Sequence, residues 1–272
     1  MSEEKLEIVF LGMREVQFMP PENLRPYVNS IMVMETTELN AHTNIPLYAD
    51  GYPGIMYYTA KNGCYLLPSN KRLSELFLYG QTLDPVSLDI SGPFKFVVLQ
   101  LYPFASQYLL DVNPKELNDD CYNLFQLEQI NIEAYAEKLR ATEALEDWVD
   151  ILSKLTEELV AHHSVPKDDQ IQQAISLILE HGGQLSVKAV RDQVYLAERT
   201  FERKFNAQVG LSPKQFAKII QFKSSLKLLT NENYVQLLDV GYDSGFADQS
   251  HFIRSFKKYT GKTPSEFLQT TY

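Results

Sequence analysis

Two arginines lie at equivalent places in a repeated aromatic and basic pattern. The pattern occurs twice, 51 residues apart, as Phe201-x-Arg203-x-Phe205 and Phe252-x-Arg254-x-Phe256. A guanidinium group presents a planar fork of donors that suits carboxylates, phosphates and the acceptor edge of guanine. Each arginine therefore either binds an external partner, through a phosphate or a base, or forms an ion pair inside the protein.

The spacing of the repeat places each arginine on the outside of a helix. Phenylalanines at positions i and i+4 share one helix face, so they anchor the helix while the arginine between them points away. A glycine, a proline and a phenylalanine then follow at identical spacing in both copies: Gly210, Pro213 and Phe216, and Gly261, Pro264 and Phe267. Glycine suits a helix end and proline suits the first turn of a new helix. Each copy thus predicts a helix-turn-helix unit, the motif whose second helix enters the DNA major groove.

The segment between the two copies has the length that two such units require. Residues 213–230 predict one helix of roughly 27 Å at 1.5 Å per residue, near the ~34 Å between successive major-groove faces. Four lysines recur along it at near-helical spacing: Lys214, Lys218, Lys223 and Lys227. They are either phosphate contacts or a solvated basic face.

Net charge is distributed unevenly along the chain. The total is −10, but residues 1–167 hold 12 Lys and Arg against 24 Asp and Glu, whereas residues 183–231 hold 9 against 3. A local basic stretch decides where phosphate is held, while the total charge mainly affects solubility. The uneven charge favours two domains: an acidic domain at 1–165 and a DNA-binding domain at 168–272.

The first domain is predicted to be rich in strands up to about residue 110. Short apolar runs such as Ile31–Met34, Ile55–Tyr58 and Phe94–Leu99 alternate with turn residues, a spacing typical of a small barrel or sandwich. Residues 131–162 instead show helical periodicity, and Pro166 marks a boundary at 163–169. The fold class is therefore α+β, with a small β-barrel and helices first and an all-α domain second.

Composition restricts the class of protein further. A chain of 272 residues without an apolar run of ~18–20 residues gives no membrane span. The acidic N-terminus lacks signal-peptide features, so a cytoplasmic location is expected. Cys64 and Cys121 are isolated in sequence and are expected to be reduced thiols.

The segment 245–267 resembles the signature of the AraC/XylS family of transcription regulators. The resembling stretch is Gly245-Phe246-Ala247-Asp248-Gln249-Ser250-His251-Phe252-Ile253-Arg254-Ser255-Phe256-Lys257-Lys258, then Thr260-Gly261-Lys262-Thr263-Pro264-Ser265-Glu266-Phe267. The resemblance covers about residues 168–272. It implies seven helices, with two helix-turn-helix units joined by a long helix, and a cupin-like sensory barrel in front of them.

The resemblance also implies which side chains meet DNA. The base-contacting candidates are Arg199, Thr200, Arg203, Gln249, Ser250 and Arg254. Arginine can hold guanine at two points and glutamine can hold adenine in the same way. The phosphate-contacting candidates are Lys204, Lys223, Lys257 and Thr263.

The first unit departs from the family pattern at three places. Arg191 stands where a small residue usually packs, Tyr195 where the turn usually has glycine, and Ala197 where serine usually starts the reading helix. Alanine cannot cap a helix, and Tyr195 is strained if the turn requires a positive φ. The first unit is therefore expected either to read DNA differently or to hold mainly the DNA backbone. In the second unit Gly241 replaces the usual alanine.

The sensory half leaves three functions open. Its strand-rich part, residues 1–110, contains one histidine, His42, which is too few for the two or three histidines of a metal-dependent cupin enzyme, so no metal, no cofactor and no enzymatic activity are expected. Its aromatic residues either form the core or line a small-molecule pocket: Tyr48, Tyr52, Tyr57, Tyr58, Tyr65, Phe77, Tyr79, Phe94 and Phe96. Besides a ligand-controlled DNA-binding regulator, the alternatives are a cupin-type binding protein or enzyme with a helical interaction tail, and a DNA-binding regulator without a small-molecule effector. The apolar face of 131–162 either packs on the barrel or forms a homodimer.

Overall fold

The structure is a computed structural model that describes residues 6–10, 13–39, 42–163, 167–231, 234 and 236–271. Its first half is built from strands, as the apolar runs predict. The strands within the described residues are β1 (Leu6–Phe10), β2 (Met13–Phe18), β3 (Val28–Thr36), β4 (His42–Leu47), β5 (Gly54–Ala60), β6 (Cys64–Leu67), β7 (Lys71–Arg72), β8 (Leu76–Tyr79), β9 (Val86–Ser91), β10 (Phe94–Leu101) and β11 (Cys121–Asn123).

The strands form two antiparallel sheets. The larger sheet has the order β1-β2-β3-β10-β5-β8-β11, and the smaller has the order β4-β9-β6-β7. Strand β10 alternates between two cores because successive side chains point to opposite faces. Phe94, Phe96 and Val98 join a cluster shared with Leu66, Leu88 and other side chains of the smaller sheet. The intervening side chains, such as Val97 and Leu99, join the core under the helices.

Helices α2 (Ile132–Arg140) and α3 (Leu145–His162) cover the outer face of the larger sheet. Trp148 is buried, stacks edge-on against Tyr57 with ring centroids 4.8 Å apart, and donates from Nε1 to the carbonyls of Leu139 and Thr142. The apolar residues of α3 are buried within the same chain. Of the two roles predicted for the apolar face of 131–162, packing on the sheet is the one observed in the single chain, and the homodimer stays a prediction.

The second half contains seven helices within the described residues from 167 onward, as predicted. They are α4 (Asp169–Glu180), α5 (Val187–Gln193), α6 (Glu198–Val209), α7 (Pro213–Thr230), α8 (Leu237–Asp243), α9 (Gln249–Thr260) and α10 (Pro264–Thr271). The predicted boundary at 163–169 lies partly outside the described residues.

The two halves pack directly against each other. Helix α1 (Ala105–Leu110) and the 3-10 helix Pro114–Leu117 lie against α6. Asn118 Nδ2 donates to the carbonyl of Gly210 at the end of α6, with the two atoms 3.3 Å apart. The hydrophobic core therefore continues from the larger sheet into the helical half.

Candidate nucleic-acid interface and sensory cavity

The two repeats form two units with closely matched packing. The first unit is α5 with reading helix α6, and the second is α8 with reading helix α9. The ring centroids of the two phenylalanines in each reading helix are 5.7 and 5.8 Å apart, for Phe201–Phe205 and Phe252–Phe256 respectively. The phenylalanine of the following helix meets the second ring at 5.7 and 5.4 Å, for Phe205–Phe216 and Phe256–Phe267. The repeat seen in the sequence is thus a repeat of three-dimensional contacts.

Both reading helices end and are followed in the same way. Gly210 and Gly261 take the left-handed conformation, with φ of 78° and 75°, as a helix-ending residue does. The next helix begins at a proline, and the hydroxyl residue before it forms a reciprocal cap, Ser212 with Gln215 and Thr263 with Glu266. These elements fix the C-terminal end of each reading helix and the start of the helix that follows it.

Most of the predicted base-contacting side chains are exposed. Arg199, Arg203 and Arg254 are exposed and form no ion pair with any described residue. Gln249 and Ser250 are exposed at the start of α9, and Thr200 is half-buried. The reading helices therefore present free guanidinium groups, which rules out the internal ion pair considered for Arg203 and Arg254 within the described part of the chain.

The predicted phosphate contacts fall into three groups. Lys257 is exposed on α9. Lys204 pairs with Asp168 at 2.9 Å, and the Thr263 hydroxyl donates to the Glu266 carboxylate at 2.9 Å, so both already have an acidic partner. Lys223 does not face outward: its Nζ lies 4.0 Å from the ring centre of Tyr52 in the first half of the chain. Lys223 is therefore placed to join the two halves, and in this arrangement it cannot reach a phosphate.

The turn of the first unit is strained as the sequence suggests. Tyr195 has a φ of 55° and is 91% exposed, so no packing compensates for its left-handed backbone. Ala197 precedes α6 without a side-chain cap. Arg191 donates to Asp192 and to Glu198, with Nη1 3.0 Å from the Glu198 carboxylate. That ion pair explains how an arginine is tolerated at this position, because it offsets the acidic start of α6.

The second unit has a relaxed turn. Gly245 takes a φ of 79°, and Asp248 caps α9 by accepting from the backbone N–H of His251 at 2.8 Å. A Cβ on Gly241 would lie 3.2 Å from Cβ of Phe252, so glycine allows α8 and α9 to approach closely.

A cavity of about 310 Å³ lies in the first half of the chain. Its wall is mostly apolar and is formed by side chains of both sheets, including Met32, Ile45, Met56, Leu88 and Val98. Of the aromatic residues predicted for a core or a pocket, four line it: Tyr48, Phe77, Tyr79 and Phe96. A volume near 300 Å³ with few polar groups is in the range of small-molecule sites.

One acidic residue in the cavity wall was not singled out from the sequence. Asp50 lines the cavity, and burial raises the pKa of its carboxyl group while the positive charge of Lys223 lowers it. The Asp50-Gly51 pair reads in sequence as a turn, and only the fold reveals that the carboxyl group faces inward. Cys64 and Cys121 are both free, and burial raises the pKa of each thiol to about 12, so neither is a reactive thiolate.

The described residues contain neither a metal-binding cluster nor a membrane-spanning helix. No group of three or more His, Cys, Asp or Glu side chains is arranged to hold a metal ion in the described part of the chain. Among the same residues, no helix has both the length and the apolar character needed to cross a membrane.

Comparison with known families assigns each half separately. Residues 191–270 match the helix-turn-helix domain family, and residues 16–123 match a domain of unknown function (DUF6597). The arabinose operon regulatory protein of Escherichia coli is 33% identical over 104 residues, which cover 38% of this chain and 35% of that relative. The chain thus matches only about a third of the length of this relative.

Two further similarities extend over more of the chain. The HTH-type transcriptional activator RhaS of Escherichia fergusonii is 22% identical over 223 residues, covering 78% of each chain. The crystal structure of ToxT from Vibrio cholerae shares 15% identity with a TM-score of 0.47, covering 87% of this chain and 95% of ToxT. The matched helix-turn-helix family, the two equivalent units and the arabinose-regulator similarity agree on the C-terminal region. Residues 191–270 therefore form a helix-turn-helix domain, and the chain is similar in sequence to the arabinose operon regulatory protein.

Proposed function

We propose that this protein is a sequence-specific DNA-binding regulator of transcription. The observation that supports it most strongly is the pair of equivalent units, each with an exposed, unpaired arginine in the middle of its reading helix. In this proposal Arg254, Gln249 and Ser250 contact base edges in one major groove. Arg199, Thr200 and Arg203 enter the next.

The charge of the reading surface supports binding to an anionic double strand. Lys257 and Lys258 are exposed near the end of α9, where they would lie close to phosphates. Lys214 and Lys227 are exposed on α7. The acidic first half gives the chain its negative total without removing this local excess of positive charge.

In this proposal residues 1–165 are the input domain and residues 168–272 the output domain. The cavity in the first half is the proposed effector site, and direct contacts between the halves provide a route for its influence. The protein would act in the cytoplasm, on double-stranded DNA, without a metal or cofactor. A homodimer through 131–162 would have to use faces other than the apolar one, which the sheet covers.

Titration of the full chain with fluorescent duplex DNA tests the proposal. A duplex library is first selected for retained sequences, and binding to the selected and a scrambled duplex is then followed by anisotropy. We expect the selected duplex to bind at least tenfold tighter, and binding of both to weaken linearly on a log–log plot as salt is raised. Equal affinity for both duplexes would refute sequence-specific binding. Affinity that does not fall with salt would refute DNA binding altogether.

A further inference from the structure

One short segment forms both a wall of the cavity and a contact with the C-terminal helices. Leu47, Tyr48 and Asp50 line the cavity. The ring of Tyr48 also packs edge-on against Phe267 of α10, with centroids 5.7 Å apart. Residues 47–52, which we call the wall segment, therefore touch the cavity on one side and the DNA-binding half on the other.

The wall segment also packs closely on α7. Gly51 has a φ of 83°, and a Cβ there would lie 2.8 Å from Cδ1 of Ile220 and 3.0 Å from Cε2 of Phe216. The backbone of the segment thus rests directly on the helix that joins the two units. Next to it, Nζ of Lys223 lies 4.0 Å above the ring of Tyr52. A change in the position of the wall segment would therefore alter its contacts with α7.

Asp50 is the polar end of the cavity. Its Oδ1 accepts from the backbone N–H of Tyr52 at 2.9 Å, and its Oδ2 accepts from Nε2 of Gln100 at 2.5 Å. Gln100 is held in turn, because its Oε1 accepts from Asn29 and Ser30. The carboxylate is therefore fixed in place, and among the described residues that line the cavity it is the only charged group.

A positive charge that acts on this carboxylate comes from the other half of the protein. A buried carboxylate without a nearby cation is strongly disfavoured. Lys223 on α7 attracts Asp50, although burial lowers the pKa of the Lys223 ammonium group. The interaction across the two halves therefore depends on the charge of a residue that a ligand in the cavity would touch.

We propose that the cavity binds a small, mostly apolar amine whose ammonium group pairs with Asp50, and that this pairing weakens the contact of the wall segment with α7. The inference rests on the proposed function, because it assigns a ligand class to the proposed effector site. The ligand supplies a second cation to Asp50 from the cavity side. The attraction between Asp50 and Lys223 then contributes less to holding the wall segment against α7. The amine weakens the contact between the wall segment and α7 only to the extent that it binds more tightly when the two are apart than when they are in contact.

The lining of the cavity discriminates against other ligand classes. The described part of the chain contributes no Lys, Arg or His side chain to the lining, so a carboxylic acid would meet the Asp50 carboxylate without a cation to pair with. A neutral alcohol could donate one hydrogen bond to Asp50 but would not compensate its charge. Charge-assisted hydrogen bonds are roughly twice as strong as neutral ones.

Calorimetric titration of the full chain with octylamine, octanol and octanoate tests the ligand class. These probes share one chain length and differ only in the polar end. We expect octylamine to bind at least tenfold tighter than the other two, and we expect Asp50→Asn to reduce that preference to twofold or less. Asp150→Asn is the matched control, since it makes the same chemical change at an exposed position on α3 and should leave the preference intact. Absence of octylamine binding, tighter binding of octanoate, or an unchanged preference in Asp50→Asn would overturn the assignment.

Hydrogen exchange of α7 tests the coupling. Octylamine should speed amide exchange in residues 213–230 of the wild-type chain by at least threefold. In Lys223→Met the amine preference should persist, because Asp50 still faces the cavity, but exchange in α7 should no longer respond to the amine. Amine binding without any change in α7 exchange of the wild type would overturn the coupling. The affinity of the wild-type chain for the selected duplex is measured in parallel without octylamine. Absence of specific DNA binding would refute the proposed function and would leave the amine site standing.

Discussion

The two helix-turn-helix units have the same packing but different turns. Their phenylalanine contacts agree within a few tenths of an ångström, and both reading helices end in a left-handed glycine. The first turn, however, places Tyr195 at a φ of 55° and leaves α6 uncapped, whereas the second uses Gly245 and the cap of Asp248. The difference shows that buried aromatic contacts specify the unit, while turn chemistry can vary at a cost of about 1–2 kcal/mol.

The units also differ in what surrounds them. The first reading helix lies against α1 and the 3-10 helix Pro114–Leu117, and the carbonyl of Gly210 accepts from Asn118 of the first half. At its other end, Arg191 offsets the acidic Glu198. The second reading helix has exposed Lys257 and Lys258 and a relaxed turn. We infer that the second unit supplies most of the base readout, and that the first mainly holds the backbone and responds to the sensory half.

The largest expected effect tests whether the two units are equally dependent on their aromatic anchors. Phe205→Ala and Phe256→Ala should each lower the free energy of unfolding by about 3–5 kcal/mol, because each ring is fully buried. Denaturant unfolding measures both, and Met19→Ala at a half-exposed position should change it by less than about 0.5 kcal/mol. A loss confined to one of the two variants would break the equivalence of the units.

A smaller effect separates the two turns. Gly245→Ala should lower the free energy of unfolding by about 1–3 kcal/mol, since it combines a positive φ with a Cβ 2.6 Å from Cγ of Gln184. Tyr195→Gly should raise it by about 0.5–1 kcal/mol, because relief of backbone strain exceeds the added entropy of the unfolded chain. Thermal unfolding distinguishes the two signs. Stabilisation by Gly245→Ala would show that the second turn is not the relaxed one.

The smallest effect concerns the helix caps. Asp248→Ala should lower the free energy of unfolding by about 1 kcal/mol, because the backbone N–H of His251 loses its acceptor. Ala197→Ser should raise it by about 0.5–1 kcal/mol by supplying the missing cap. Amide exchange at the first turns of α6 and α9 locates each change. Equal exchange in wild type and variants would show that these caps contribute nothing.

Repeated local patterns made the helical half predictable from the sequence. The Phe, Arg, Gly and Pro spacings act within a few residues, so they fixed the helices and the two units without knowledge of the fold. The strain at Tyr195 and the missing cap at Ala197 were expected from the departures of the first unit from the family pattern. The apolar runs likewise predicted the main strands, though not their order in two sheets, because strand pairing depends on contacts distant in sequence.

Features that depend on the meeting of distant segments could not be predicted. Lys223 lies on a basic helix and suggested a phosphate contact, but its surroundings come from Tyr52 and Asp50, far away in the chain. Asp50 looked like part of a turn until the fold placed it in a cavity wall. The apolar face of α3 could have met another chain, and only the packing of Trp148 on Tyr57 decided between the two roles.

The most direct test of the account is a base-substitution scan of the selected duplex with Arg254→Ala and Arg203→Ala. Each base pair is changed in turn, and affinity is measured at fixed salt. We predict that Arg254→Ala weakens binding by about 1–3 kcal/mol and removes the base preference at one position. Arg203→Ala should instead weaken binding to every duplex by about the same factor, without changing any base preference. An Arg254→Ala variant that retains both its affinity and its preference at every position would contradict the account.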